Sequence, residues 1–238
     1  MLHLVTPLYN FDLLPKVYKT IPPHKDIIWH IAVSSNREKI PYSFVYTDQR
    51  IKLYEIDCAD NDTTTKRNSV FETIKEGYFY LLDDDTVFVP QLYQLYLQTA
   101  AEDFRGMVVG NQTHYLYKNN FKKAIYPTTH PETTHIDSGM ALCYHTVLSK
   151  VRWERDCFPR DFTFWSNCYR FFDDENTKTV NQTISIYNAL GLIKLDKKFL
   201  FFRIKFNITN YRLARWFIVI RAFLRKWKII KENKHGLI

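Results

Sequence analysis

Asp83, Asp84 and Asp85 form an unbroken carboxylate triplet between the apolar run Tyr78-Phe79-Tyr80-Leu81-Leu82 and the segment Thr86-Val87-Phe88. A continuous apolar run of this length reads as a strand buried on both faces of a parallel sheet. Carboxylates at its end would lie at the carboxyl edge of that sheet, where open α/β folds bind ligands. Clustered negative charges repel one another unless a cation joins them. Mg²⁺ and Mn²⁺ take oxygen ligands and are commonly shared with substrate phosphates. The triplet therefore predicts a metal–diphosphate site, with an acidic turn as the competing reading.

The elements needed to position such a site alternate along the first half. Strands are predicted over residues 2–6, 27–34, 52–57 and 78–82, and helices over 11–20, 66–76 and 90–102. Pro90 suits a first helical turn. Alternating strands and helices predict an α/β fold, with a mostly parallel sheet covered by helices on both faces. Further on, strands are expected over 107–110, 140–144 and 198–206, and helices over 161–172 and 179–190. Residues 211–231 read as a basic, aromatic helix whose apolar run, residues 216–220, is far short of the roughly 20 residues that span a bilayer. The expected division is one domain over 1–206 and a C-terminal helical tail over 207–238.

Composition narrows the chemistry. The 238 residues, 46% hydrophobic and 16% aromatic, describe a globular chain with one sizeable core. Only six glycines occur and the first is Gly77, so no glycine-rich phosphate loop follows the first strand, Val5-Thr6-Pro7-Leu8-Tyr9-Asn10. Side chains and metal must hold phosphate instead. A net charge of +8 suits an anionic partner such as a nucleotide, nucleic acid or lipid surface. The cysteines Cys58, Cys143, Cys157 and Cys168 lack metal-site spacing and read as reduced. The sequence opens on strand-like residues, so a cytoplasmic location is expected and the Asn-x-Thr sites at Asn61, Asn111, Asn181 and Asn207 carry no weight.

Four segments, taken in order, resemble the nucleotide-diphospho-sugar glycosyltransferases of the GT-A fold, family 2-like. Val5-Thr6-Pro7-Leu8-Tyr9-Asn10 is similar to the family's nucleotide loop, and Lys66-Arg67-Asn68 to its Arg-Asn helix start. Leu82-Asp83-Asp84-Asp85 resembles its Asp-x-Asp motif, and residues 136–151 its acceptor-side strand and helix. The match covers roughly residues 1–172. It implies a Rossmann-like GT-A domain that transfers a sugar, most simply from a UDP-sugar, to a hydroxyl of a glycan or lipid-linked acceptor with inversion. It further implies donor contacts from Thr6, Pro7, Tyr9, Ser35, Arg67, Asp83 and Asp84, and Mn²⁺ or Mg²⁺ on Asp83 and Asp85. Two positions depart from the family: Ser34-Ser35-Asn36 replaces the aspartate that reads the base, and Arg160-Asp161 replaces a Glu-Asp pair.

An attacking hydroxyl must lose its proton to a group within hydrogen-bond reach. The resemblance makes Asp161 that base and Glu154 its competitor, while Asp161 could equally cap the helix that follows. His135 is read as a ligand or a structural histidine, Tyr9 as a stacking ring or core, and Trp165 and Tyr169 as core. Asp83-x-Asp85-x-Val87 with Phe171-Phe172-Asp173-Asp174 also fits a phosphatase of the haloacid dehalogenase type. A basic nucleic-acid-binding module is the non-enzyme alternative, although no nucleic-acid motif occurs and no nucleic-acid partner is expected. The tail joins Trp216, Phe217 and Trp227 to Arg212, Arg215, Arg221, Arg225, Lys226 and Lys228, a combination suited to the peripheral surface of an anionic membrane.

Overall fold

A computed structural model describes residues 1–115, 123–126, 136–155, 160–187 and 190. The chain divides into Met1–Ile193 and Lys194–Ile238, and everything described belongs to the first unit. The predicted strand 198–206, the 206/207 boundary and the tail lie outside the described residues. Among the described residues no helix is long and apolar enough to cross a membrane.

The sheet order is β3 (Ile51–Ile56), β2 (Ile27–Ser34), β1 (Leu2–Pro7), β4 (Tyr78–Leu81), β7 (Ala141–Tyr144), β5 (Met107–Tyr115) and β6 (Lys123–Tyr126). From β3 to β4 all neighbours are parallel; β4–β7, β7–β5 and β5–β6 are antiparallel. β8 (Thr177–Tyr187) pairs in parallel with β5, with a register irregularity at Asn111. Mostly parallel order on one side and an antiparallel extension on the other agree with the predicted α/β class.

Period-two alternation sends successive side chains of β1 and β4 to opposite faces, and both faces are apolar. Leu2, Leu4, Tyr78 and Tyr80 join α1 (Leu14–Tyr18) and α4 (Pro90–Ala101) in one core. Val5, Phe79 and Leu81 join α3 (Thr63–Phe71) and α5 (Arg160–Phe172) in the other. Trp165 and Tyr169 belong to this second core, as read from their spacing. Gly77 has φ +71°, and a Cβ there would meet the Met1 carbonyl oxygen at 2.2 Å, so only glycine admits the chain to β4 beside β1.

Two elements differ from expectation in type or starting residue. Residues 179–190 were predicted helical, but β8 occupies Thr177–Tyr187. Its Thr177, Thr179, Val180, Thr183, Ile184 and Ile186 are β-branched and favour an extended chain once β5 is there to pair with. Helix α3 starts at Thr63, because the Asp62 carboxylate caps Thr65 N–H at 3.0 Å, and it ends at Phe71. Lys66-Arg67-Asn68 is therefore mid-helix and not a helix start.

Within the sheet, His3 Nδ1 and His30 Nε2 lie 2.9 Å apart, and His30 Nδ1 lies 2.9 Å from the Tyr54 hydroxyl. Burial holds both imidazoles neutral, lowering His3 to about 4 and His30 to about 3. The unfolded rings take up protons first as pH falls below the ordinary value near 6.5. The fold thus gains full benefit from the neutral pair above about pH 6.5 and loses about 2 kcal/mol per ring by pH 5. Imidazole NMR shifts are expected to stay flat from pH 8 to pH 5. A ring titrating near its ordinary pKa in the folded protein would contradict the assignment.

Candidate active site

The parallel strands end on the loop after β1, and charged side chains fix that loop from several sides. Lys66, fully buried, donates from Nζ to Leu8 O at 2.9 Å and to Asp60 O at 2.6 Å. Arg37 Nη1 donates to Tyr9 O at 2.6 Å and its Nε pairs with Asp60 at 3.2 Å. Asp84 Oδ2 accepts from Tyr9 N at 2.6 Å and from Asn10 N at 2.7 Å. The Tyr9 ring is left 56% exposed at the loop tip, open to stack on a planar base.

Several expected donor contacts are placed differently. Thr6 is fully buried: its hydroxyl donates to Leu82 O at 2.5 Å and accepts from Trp29 Nε1 at 2.9 Å. It clamps β1 to the end of β4, and its side chain cannot reach a ligand. Pro7 is also buried. Ser35 is exposed after β2 and donates its backbone N–H to Ile56 O at 2.8 Å. The Asp84 carboxylate, read as a sugar or ribose contact, is turned onto the loop amides.

Asp83 and Asp161 meet through one guanidinium. Arg67 Nη2 donates to Asp83 Oδ1 at 2.7 Å, and Nη1 lies 4.0 Å from Asp161 Oδ1. Ser138 Oγ donates to the other Asp83 oxygen at 2.5 Å. Arg67 was expected to face the diphosphate; buried beneath Asp83, it instead spends its charge on carboxylates. Asp161 lies in the first turn of α5, not at a capping position. Burial pushes it up to about 8 against the pull of Arg67, and the hydrogen-bonded Asp137 carboxylate beside it adds to the rise. Asp161 thus holds its proton to higher pH than an ordinary carboxylate. Glu154 is exposed on the loop after Val151, and His135 lies outside the described residues.

Asp85 is the remaining carboxylate. Burial and the charges of Asp83 and Asp84 push it up to about 7, and the Thr86 hydroxyl is 3.3 Å away. Among the described residues no Lys, Arg or His pairs with it, and no three His, Cys, Asp or Glu side chains converge as a metal cage. Of the expected Asp83–Asp85 ligand pair, Asp83 is bonded to Arg67 and Ser138, and Asp85 meets the Thr86 hydroxyl. A carboxylate with no cation partner among the described residues fits Mg²⁺ or Mn²⁺, which bind through one or two carboxylates plus substrate phosphates.

Lys66, Asn68, Asp137, Ser138 and Trp153 join the site without having been assigned roles from sequence. Their signal was the pair of motifs around Arg67 and Asp137, but the contacts that give them roles run between distant segments. Asp173 and Asp174, the phosphatase alternative's metal pair, follow α5 at the end opposite Asp161. At the rise of an α-helix that is about 18 Å away, which counts against that reading.

No family model matches the sequence, and no curated protein matches it. Solved structures do. TarS 1–349 from S. aureus superposes at TM-score 0.60 and 10% identity, over 93% of this chain and 78% of that one. Its complex with UDP-GlcNAc gives 0.58 at 8% identity, over 99% and 76%. The mannosyltransferase PcManGT from Pyrobaculum calidifontis, in complex with GDP-Man and Mn²⁺, gives 0.57 at 10% identity, over 85% and 59%. The chain spans 36% of a longer TarS structure. At such identities the likeness is one of fold, and the fold is of the GT-A glycosyltransferase type.

Proposed function

We propose that this GT-A chain is a metal-dependent glycosyltransferase. It moves a sugar from a nucleoside diphosphate, a UDP-sugar in the simplest reading, to a hydroxyl of a glycan or lipid-linked glycan. The observation that carries the reading is the Asp161 carboxylate, 4.0 Å from an Arg67 guanidinium that binds Asp83 at the carboxyl edge of the parallel sheet. TarS and PcManGT, which bind UDP-GlcNAc and GDP-Man, support a nucleotide-sugar donor.

In this mechanism the acceptor oxygen attacks the anomeric carbon while the bond from that carbon to the diphosphate oxygen breaks. The diphosphate leaves with the electron pair, and Asp161 takes the hydroxyl proton. One displacement inverts the anomeric carbon. A divalent ion held by Asp85 would supply Lewis-acid stabilisation of the departing diphosphate. Tyr9 offers its exposed ring to the base, and Asp84 keeps the loop that presents it. Purified protein is to be tested against a panel of sugar nucleotides with Mn²⁺, and the product configuration read by NMR. A product with retained configuration, or no turnover of any donor, would overturn the reading.

Placement on the cytoplasmic face of an anionic membrane is proposed from the sequence of the tail. Full-length chain should co-sediment with anionic liposomes, and a chain ending near residue 206 should not.

A further inference from the structure

Consecutive residues on α3 point in steps of about 100°, so Lys66, Arg67 and Asn68 reach three different loops. Lys66 holds the β1 loop and Arg67 holds Asp83 and Asp161. Asn68 has no place in the reaction described above, yet its amide forms a matched pair with one backbone residue. Nδ2 donates to Trp153 O at 2.9 Å, and Oδ1 accepts from Trp153 N at 2.9 Å. Both bonds of a ladder pair are thereby made by one side chain, which fixes the Trp153 backbone in place and orientation.

Trp153 passes that placement on. Its ring is 2% exposed and lies 4.2 Å from the Arg67 guanidinium carbon. It also stacks on Phe164 of α5, the helix that carries Asp161, at 4.3 Å between centroids. Arg67 needs this support. Its Nε is buried with no hydrogen-bond partner among the described residues, and only Nη2 is within hydrogen-bond distance of a carboxylate. Left to its ion pairs alone, the guanidinium could swing wholly onto Asp83 or onto Asp161. The indole face defines the plane that lets it serve both.

We propose that Asn68 and Trp153 are positioning residues: they aim Arg67 so that the donor-side carboxylate Asp83 and the base Asp161 keep a fixed separation. The inference rests on Asp161 being the base. It predicts that Asn68→Ala lowers kcat about 10- to 100-fold, the cost of small misplacement at a reacting centre, with donor KM within about twofold. Trp153→Phe keeps the backbone pair and a smaller ring, so its loss should be intermediate.

A second readout does not depend on turnover. Arginine side-chain NMR should show hindered rotation of the Arg67 guanidinium in the wild type and free rotation in Asn68→Ala. Unchanged kcat, or an Arg67 that stays fixed in both variants, overturns the proposal. So does a donor KM that rises as steeply as kcat falls. If Asn68→Ala does not fold, Trp153→Phe carries both measurements. Should the wild type transfer no sugar while Arg67 is released as stated, the positioning role stands and the glycosyltransferase reading fails.

Discussion

Asp161→Asn is expected to reduce sugar transfer by about 10²- to 10⁴-fold, the usual contribution of a positioned general base. The amide keeps the shape of the carboxylate and can still accept a hydrogen bond, but it cannot take the acceptor's proton. The groups given to base and metal are kept: Tyr9 and Asp85 belong to other loops. Donor affinity measured by calorimetry with UDP and Mn²⁺ should therefore match the wild type. Asp161 is suited to the task. Its side chain is 33% exposed, enough to meet an acceptor, and its pKa, pushed up to about 8, makes its ionised form a stronger base than an ordinary carboxylate, so transfer should climb as pH rises toward 8. Turnover within a few-fold of wild type would remove Asp161 from the mechanism and pass the role to Glu154.

What the sequence made visible was local. Strand β2 follows its predicted span because Ile27–Ser34 is apolar or small on both faces apart from the buried His30, and neither end competes with a helix. The carboxylate triplet falls at the strand end it was assigned to, since a buried run must stop where charge begins. Contacts between distant segments were not legible in this way. Arg67 meets Asp83 across 16 residues, Ser138 meets Asp83 across 55, and Asn68 meets Trp153 across 85. Thr6 and Arg67 were expected at the ligand from the family resemblance. Burial beneath the loops gave them clamping roles instead.

Two strand readings in the second half, the end of β5 and β8, failed for a related reason. β5 was expected to end at residue 110. The strand continues through Asn111, Gln112 and Thr113, which are 5%, 2% and 2% exposed. Their polar side chains are satisfied across the sheet, Asn111 by Asn181 at 2.9 Å and Gln112 by Ser185 at 3.2 Å. A polar strand pairing with a polar strand carries no hydrophobic period, so neither β5's second half nor β8 announced itself.

Asp85→Asn is expected to abolish transfer while making the metal-free protein more stable. The carboxylate is held among Asp83 and Asp84 with no cation from the described residues beside it, and burial with their charges pushes its pKa from the ordinary 3.8 up to about 7. A folded-state pKa above the unfolded one means the native state holds the proton longer, so ionisation costs stability as pH climbs. The penalty is absent below about pH 4, grows through the interval and is complete above about pH 7. The shift sets a ceiling of about 4 kcal/mol, reduced by solvent because the group is partly exposed. Asparagine removes the charge at almost no cost in volume. In EDTA at pH 8 the variant should melt above the wild type, and at pH 4 the two should coincide. With Mn²⁺ and a UDP-sugar the order reverses: the wild type is stabilised and turns over, and the variant does neither. Normal transfer by Asp85→Asn without metal would refute Asp85 as the ion's ligand, and an unchanged melting temperature in EDTA at pH 8 would show that its charge is already compensated.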